Sequence, residues 1–313
     1  MKLYEVIERI EFNIHSADDL SGKSVNSVFS KKNIVYALQT ALNHYSQFTL
    51  GIQGIKSYSL SSNQRDVEAP SDAVRTGTYV GFFCVISNLK YLLKPQTFNR
   101  TNTEFYGSNW TGIPNYVQFW DNQISIFPLI NENFSSTTLV AAAGLSATDT
   151  TIVLANAGSF LEYNGRIQIG EEIISYERRD SATNTLVDCK RGLENTSAVA
   201  HANGAAVDSK NFYVYYYKNH WKIPLLNSST IDPSYLSKEM EISDDHIEGV
   251  IDEASYKLLS KIDISRADLY KRDYEEFLRR CKAELVKGRD NTRTYTSTRQ
   301  LYPFEYGSQS RVY

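Results

Sequence analysis

Length, composition and charge limit what this chain can be. Its 313 residues, 42% of them hydrophobic, are enough to bury a core and to form more than one module. The formal net charge of −3 excludes the extensive phosphate neutralisation on which tight, non-specific nucleic-acid binding depends.

Cysteine spacing and hydropathy argue against an exported or membrane-spanning protein. Cys84, Cys189 and Cys281 are odd in number and too widely spaced for a disulfide framework or a zinc knuckle. Charged residues interrupt the first fifteen positions, and no run of about 18 apolar residues occurs anywhere. We therefore expect synthesis in a reducing cytoplasm, no membrane association and no cofactor.

Two helices are predicted at the start of the chain. Apolar residues at helical spacing over residues 3–14 indicate a short amphipathic helix that ends in a loop at 16–22. A second helix is predicted to begin with Ser30 as its N-cap and to end before Gly51. Its buried stripe is expected to consist of Ile34, Val35, Leu38, Ala41, Leu42 and Tyr45.

From residue 51 to residue 128 the apolar period changes towards two, which indicates strands. The best candidates are residues 78–86, 116–120 and 123–128. Asp121 and Asn122 tolerate positive φ, so the last two segments are predicted to form a hairpin.

Residues 137–209 differ in composition, being rich in Thr, Ala, Gly and Asn. Short strands are predicted at 150–154, 165–177, 185–192 and 204–208. The small side chains favour a compact barrel or sandwich over a deep catalytic cleft. Because residues 212–219 resume the aromatic strand pattern, we expect this module to be inserted between two strands of one sheet.

An antiparallel pair of helices is predicted near the C-terminal end. The first begins around Ser243 to Asp245, with core positions Ile247, Val250, Ile251, Ala254, Leu258 and Ile262. The second is predicted to be capped by Ser265 and to stop at Gly288, with core positions Tyr270, Tyr274, Phe277, Cys281 and Leu285. Residues 289–313 lack apolar periodicity and are expected to form an extended tail.

The order of these segments resembles that of the head-to-tail adaptor proteins that lie under the portal of tailed bacteriophages. The resemblance is carried by IVYALQTALNHY (34–45), YSLSSNQRDV (58–67), GIPNYVQFWDNQISIFPLI (112–130), FYVYYYKN (212–219), DDHIEGVIDEASYKLL and ADLYKRDYEEFLRRCKAEL. The inserted module resembles small β domains of phage virion proteins through TTIVLANAGSF, GRIQIGEEIISYE and CKRGLENTSAVAHANGAAV (189–207). The smaller adaptors lack such an insert.

Pattern and resemblance together imply an α+β fold. N-terminal and C-terminal helices would pack with an antiparallel β region in an adaptor core of residues 1–136 and 210–288. An all-β domain is inserted at 137–209, and the extended tail follows at 289–313. The resemblance further implies a homo-oligomeric ring, of twelve subunits, beneath the portal protein in the neck of the virion. Tail or nozzle proteins would bind below it, and DNA would pass through its channel without sequence-specific contacts.

The predicted tail carries aromatic residues and arginines, which are frequent anchors at protein interfaces. We expect it to dock on the portal protein through Arg289, Arg293, Tyr295, Arg299, Leu301, Tyr302, Phe304, Tyr306, Arg311 and Tyr313. The basic segment at 278–289 either contacts DNA or an acidic portal surface, or forms a solvated face balanced by its own glutamates.

Other functions have weaker support in the sequence. The carboxylate pairs Asp18–Asp19, Glu171–Glu172 and Asp244–Asp245 suit turns and helix starts better than acid–base catalysis, so no enzyme is expected. His201 and Cys189 lack a second pair of metal ligands. The alternative is a tail-fibre or baseplate protein whose β domain binds host surface glycans, with Tyr163 and Tyr176 as exposed candidates.

Overall fold

The computed structural model describes residues 1–21, 29–74, 79–96, 111–120, 122–140, 144–226 and 230–294. The fold is α+β, as the sequence predicts. The chain divides into two compact units, a helical unit formed by Met1–Ile52 and Asn219–Tyr313 and a β unit formed by Gln53–Lys218. Each unit is described separately below.

The helices in the described part of the chain are α1 (Leu3–Ser21), α2 (Lys31–Thr49), α3 (Pro233–Leu236), α4 (Asp244–Leu259) and α5 (Ile264–Thr294). The strands are β1 (Gln53–Tyr58), β2 (Asp66–Glu68), β3 (Tyr79–Ile86), β4 (Leu89–Pro95), β5 (Tyr116–Trp120), β6 (Gln123–Phe127), β7 (Ser136–Thr138), β8 (Ile152–Val153), β9 (Tyr163–Ile169), β10 (Glu172–Asp180), β11 (Thr185–Val187), β12 (Lys190–Leu193), β13 (Ala206–Ser209), β14 (Phe212–Tyr217), β15 (Leu225–Leu226) and β16 (Thr230–Ile231).

Local sequence signals place both ends of α2. The Ser30 side chain accepts a hydrogen bond from the backbone N–H of Asn33, which confirms it as the N-cap of α2. Leu50 ends α2 in the left-handed conformation, one residue before Gly51. The first helix is longer than predicted, because α1 continues to Ser21 into the expected loop at 16–22; residues 16–21 contain no Gly or Pro, and Gly22 follows the last residue of the helix in the sequence.

Two predictions for the last helix are wrong. The helix α5 begins one residue before Ser265, and the Asp263 side chain accepts the N–H of Arg266, so Asp263 takes the capping role assigned to Ser265. The helix also passes through Gly288 and reaches Thr294. A single glycine costs a helix only about 1 kcal/mol, and Lys287 and Arg289 beside it are strong helix formers.

Helices from both ends of the chain share one core in the helical unit. The stripe predicted for α2 is fully buried, and so are the predicted α4 positions from Ile247 to Leu258. Ile262 is 37% exposed, because it lies beyond the last turn of α4. Members of this core include Leu3, Ile10, Ile14, Leu38 and Leu42 from α1 and α2, with Phe277 and Tyr274 from α5.

The first sheet of the β unit has seven strands in the order β1-β14-β3-β4-β5-β6-β2. The predicted hairpin of β5 and β6 is confirmed. Neighbouring strands are antiparallel except β4 and β5, which are parallel. Every strand contributes to one core, and the Tyr58 hydroxyl of edge strand β1 donates to the Glu68 carbonyl of edge strand β2 over 2.5 Å.

Residues 136–209 form a second sheet between β6 and β14 of the first. Its strands follow the order β7-β13-β9-β10-β11-β8, with β12 beside β10. Hydrogen bonds from Val140 N to Val153 O and from Ala155 N to Thr138 O, both 2.9 Å, join the two end strands. The sheet is therefore a closed barrel, filled by its own apolar core around Phe160, Ile167 and Ile174.

Candidate functional site

The predicted portal-docking residues lie at and beyond the end of α5. Arg289 and Arg293 belong to its last turns, so the tail is helical up to Thr294 and not extended from 289 as predicted. The remaining predicted positions lie outside the described residues: Tyr295, Arg299, Leu301, Tyr302, Phe304, Tyr306, Arg311 and Tyr313.

The helix α5 is much longer than its antiparallel partner α4. Its 31 residues correspond to about 46 Å of helix, whereas the 16 residues of its antiparallel partner α4 correspond to about 24 Å. Contacts of Phe277 with Tyr45 and His246 place residue 277 beside the first turn of α4 and the C-terminal part of α2. The last turns of α5 therefore extend past the start of α4.

The residues of the inserted module's motif meet in a buried ion-pair cluster. The Glu172 side chain is fully buried at the start of β10. Arg191 of β12 donates to both of its oxygens over 2.7 Å, and His201 Nε2 lies 2.8 Å from Oε2. Backbone N–H groups of Gly192 and Val199 add bonds of 3.0 and 3.3 Å. One carboxylate thus holds the loop that contains residues 192–201 against the barrel.

The electrostatics of Glu172 follow from these contacts. Burial alone would raise the pKa of its carboxyl, but the hydrogen bonds from Arg191, His201, Val199 and Gly192 outweigh burial and lower the pKa to about 2. Arg191 also donates to the carbonyls of Ser146 and Val199. Every one of these contacts lies within the module, so the cluster stabilises the barrel.

The other candidate pairs do not converge on a reaction centre. Glu171 lies exposed in the turn before β10, apart from the buried Glu172, while Asp244 and Asp245 occupy the first turn of α4 as predicted. Asp18 and Asp19 belong to α1. Cys189 is a buried free thiol whose pKa burial raises to about 12, and within the described ranges no group of three or more His, Cys, Asp or Glu is placed to hold a metal ion.

A second buried carboxylate, which the sequence did not indicate, joins the barrel to the first sheet. Glu194 follows β12 and is 3% exposed. It accepts hydrogen bonds from the backbone N–H of Ser57 at 3.0 Å, from the Ser57 hydroxyl, and from Arg166 at 2.5 Å. Lys56 lies 3.8 Å away. Ser57 is 137 positions from Glu194, so no local pattern could have revealed the contact.

Tyr213 and Lys210 complete this junction. The Tyr213 hydroxyl accepts the N–H of Arg166 over 3.2 Å and donates to the Lys210 carbonyl over 2.9 Å. The Lys210 ammonium donates to Gln168 over 2.5 Å, and burial lowers its pKa. Two hydrogen bonds between Ser135 and Ser209 close the base of the module. The inserted barrel is thus bound to the sheet by several contacts and not only by its two chain connections.

The two tyrosines proposed for glycan binding differ in exposure. Tyr163 is 55% exposed. Tyr176 is 3% exposed, and its hydroxyl donates to the Leu161 carbonyl inside the barrel, so the expectation that it is exposed is wrong. Its ring packs over Gly165, where any larger side chain would overlap it.

Comparisons with protein-family models and with curated proteins found no match to this chain. Among the described helices, none combines the length and the apolar character needed to cross a bilayer.

Proposed function

We propose that this protein is a structural head-to-tail adaptor of a tailed bacteriophage, a ring-forming subunit that joins the portal protein to tail or nozzle proteins in the virion neck. The observation that supports this most is the length of α5, which extends about 15 residues beyond the span that α4 can cover. In this proposal such a helix end would present residues 295–313 to a partner.

The composition of residues 295–313 fits a docking role. Tyr302, Phe304 and Tyr306 are spaced closely enough to enter neighbouring pockets of a partner, and Arg299 and Arg311 flank them. Aromatic and arginine side chains supply most of the binding energy at protein interfaces. In this proposal the segment orders on the portal, so that adaptor joining follows portal assembly.

The β unit fits the same proposal through its fixed geometry. A barrel closed on itself and bound to a second sheet through buried hydrogen bonds keeps a fixed geometry. In this proposal the ring also encloses the channel through which DNA passes. The fixed barrel would offer a stable surface to tail or nozzle proteins.

Truncation after Thr294 tests the docking claim without removing any of α5. We expect the 1–294 protein to melt within a few degrees of the full chain and to lose at least about a hundredfold in affinity for the portal ring of the same phage, because several anchor residues are lost together. Binding is measured by biolayer interferometry on immobilised portal rings.

Point variants test whether the affinity for the portal depends on the anchor side chains or only on the presence of residues 295–313. Replacing Tyr302, Phe304 and Tyr306 by alanine is expected to reproduce most of the loss. The matched control replaces Ser297, Ser308 and Ser310 by alanine and should bind normally. Full portal affinity in the truncated protein would refute the docking role.

A further inference from the structure

Two rows of surface side chains, exposed except for the partly buried Lys32, form ridges on the helical unit. The α1 ridge consists of Tyr4, Glu8 and Phe12, and the α2 ridge consists of Lys32, Tyr36, Thr40, His44 and Phe48. Both follow the i, i+4 rows along which helices interlock when they pack.

The exposure of the aromatic residues in these ridges is high for their size. Phe12 is 73% exposed, Tyr36 55%, Phe48 43% and Tyr4 39%. Single exposed apolar residues are common, but here four large aromatic side chains lie in two regular rows. Rows of this kind are typical of a surface that another helix covers.

The two helices carry opposite charge. Five carboxylates and one arginine are present in α1, and three of the carboxylates, Glu5, Glu8 and Glu11, lie near its ridge. By contrast, α2 has Lys31 and Lys32 in its first turn and no acidic residue. Because the two surfaces carry opposite charge, they favour contact between two copies of the chain, and the charges also fix the orientation of that contact.

A groove of about 690 Å³ lies beside the α1 ridge, between α1 and α4. Phe12 and Ile251 contribute apolar side chains to its lining, and Glu8 contributes a carboxylate. Arg9, which also lines the groove, pairs with Glu248 of α4, so the carboxylates of Glu5 and Glu8 give the α1 side of the groove a negative charge that can face an incoming cation.

This groove fits an aromatic side chain that has a lysine one helical turn away. Lys32 and Tyr36 on the α2 ridge have this arrangement, with the ammonium 5.7 Å from the ring centroid. The Tyr36 ring would enter the groove between α1 and α4 of the other copy, and the Lys32 ammonium would face the carboxylate of Glu8.

We infer that the α1 ridge of one copy packs against the α2 ridge of the next copy, with Tyr36 entering the α1–α4 groove and Lys32 facing Glu8. The interface joins two different surfaces of the chain. A growing assembly therefore always has one unoccupied α1 ridge at one end and one unoccupied α2 ridge at the other, and growth stops when these two ridges meet and close a ring. The inference rests on the proposed function in that a ring subunit requires such a head-to-tail contact.

Charge reversal provides the test, in the full chain and without portal. Glu8→Lys and Lys32→Glu are each expected to weaken self-association several-fold in sedimentation velocity, because like charges then face each other. Phe12→Ala and Tyr36→Ala are expected to weaken it about tenfold or more, as buried aromatic anchors do. Tyr163→Ala, an equally exposed tyrosine on the barrel, is the control and should change nothing.

Mixing the two charge variants separates an interface effect from a folding defect. In an equimolar mixture, the altered α1 ridge of the Glu8→Lys variant meets the altered α2 ridge of the Lys32→Glu variant, so opposite charges face each other again. The remaining two ridges are native. Association should therefore return towards the wild-type level in the mixture, and also in the chain that carries both changes.

Wild-type protein that stays monomeric up to its solubility limit, or single variants that associate like the wild type, would overturn the inference. Neither result bears on portal docking by residues 295–313. The failure of the ridge contact and the failure of the proposed function are therefore distinguishable.

Discussion

The guanidinium of Arg191 donates two hydrogen bonds, each 2.7 Å long, to the two carboxylate oxygens of Glu172. Both side chains are almost completely excluded from solvent, with 6% and 0% exposure. The charge on each is compensated mainly by the other, since His201 and two backbone N–H groups supply the remaining contacts. Removing one partner of such a buried ion pair lowers the stability strongly, because the other charge is left buried without compensation.

Glu172→Gln should therefore destabilise the inserted barrel strongly. The amide keeps the shape of the side chain but leaves the Arg191 cation buried without a counter-charge, which costs about 3–5 kcal/mol. Hydrogen exchange of β9 and β10 peptides as a function of urea reports the barrel's own stability. The neighbouring Glu171→Gln, at an exposed turn position, should stay within about 0.5 kcal/mol of wild type.

The same carboxylate predicts how barrel stability depends on pH. The folded-state pKa of about 2 lies below the ordinary value of 4.5, so the stabilisation is fully present above pH 4.5 and is lost as pH falls towards 2. The difference corresponds to about 3 kcal/mol. Barrel unfolding followed by hydrogen exchange should show this loss in the wild type. A Glu172→Gln protein with the same acid dependence would contradict the assignment.

Glu194→Gln should loosen the junction between barrel and sheet while leaving each core intact. The substitution removes the negative charge that Arg166 and Lys56 share, although the amide oxygen can still accept one hydrogen bond. We expect the amide proton of Ser57 to exchange at least about tenfold faster, with unchanged exchange in β10. Glu177→Gln, on the exposed part of β10, is the matched control. Unaltered protection of Ser57 would show that Glu194 does not hold the junction.

Periodicity and end signals predicted the four long helices and several of the strands, because these signals depend on neighbours in the sequence. The stripe of α2, its Ser30 cap and the β5–β6 hairpin follow from such signals. In the inserted module, the predicted strands 165–177 and 185–192 are each divided into two strands by a short turn, which the apolar pattern did not show. These signals did not predict the end of α5, because whether Gly288 stops the helix depends on a free-energy balance of about 1 kcal/mol. Contacts between distant positions were also beyond local patterns, as the bond between Ser57 and Glu194 shows.

The motif of the inserted module illustrates the same limit in another way. Glu172, Arg191 and His201 were all present in the segments that carry the resemblance, but their chemistry depends on which of them are buried together. Alternation along a strand predicts only that adjacent residues face opposite ways. The chain reversals after β10 and β12 bring the three side chains to one point, and this requires the tertiary fold.

Asp252→Asn should stabilise the helical unit at neutral and alkaline pH. Burial, with the nearby Asp273 carboxylate, raises the pKa of Asp252 from 3.8 to about 6. The folded state therefore favours the protonated acid, and stability is lost as pH rises through that range. Removing the charge should raise the free energy of unfolding by about 1–3 kcal/mol at about pH 8, with little effect at about pH 4.

Thermal denaturation of the full chain at these two pH values measures the effect of Asp252→Asn. Asp268→Asn, on an exposed position of α5, is the control and should shift the melting temperature at neither pH. Equal stabilisation at both values would mean that the gain comes from something other than the charge of Asp252.

Gly249→Ala tests how closely α4 and α5 approach. Alanine is the better helix former by about 1 kcal/mol, so an isolated helix would be stabilised. In this fold an added Cβ would overlap the ring of Phe277, which is 5% exposed and stacks on Tyr45 with centroids 6.3 Å apart. The ring cannot turn away without disturbing that contact, and overpacking of this kind costs about 1–3 kcal/mol. We therefore expect a net loss of stability in chemical denaturation.

The same glycine change in a Phe277→Leu background, where the smaller side chain leaves room, should cost less or become favourable. If the two backgrounds respond alike, Gly249 is not required by the contact with Phe277.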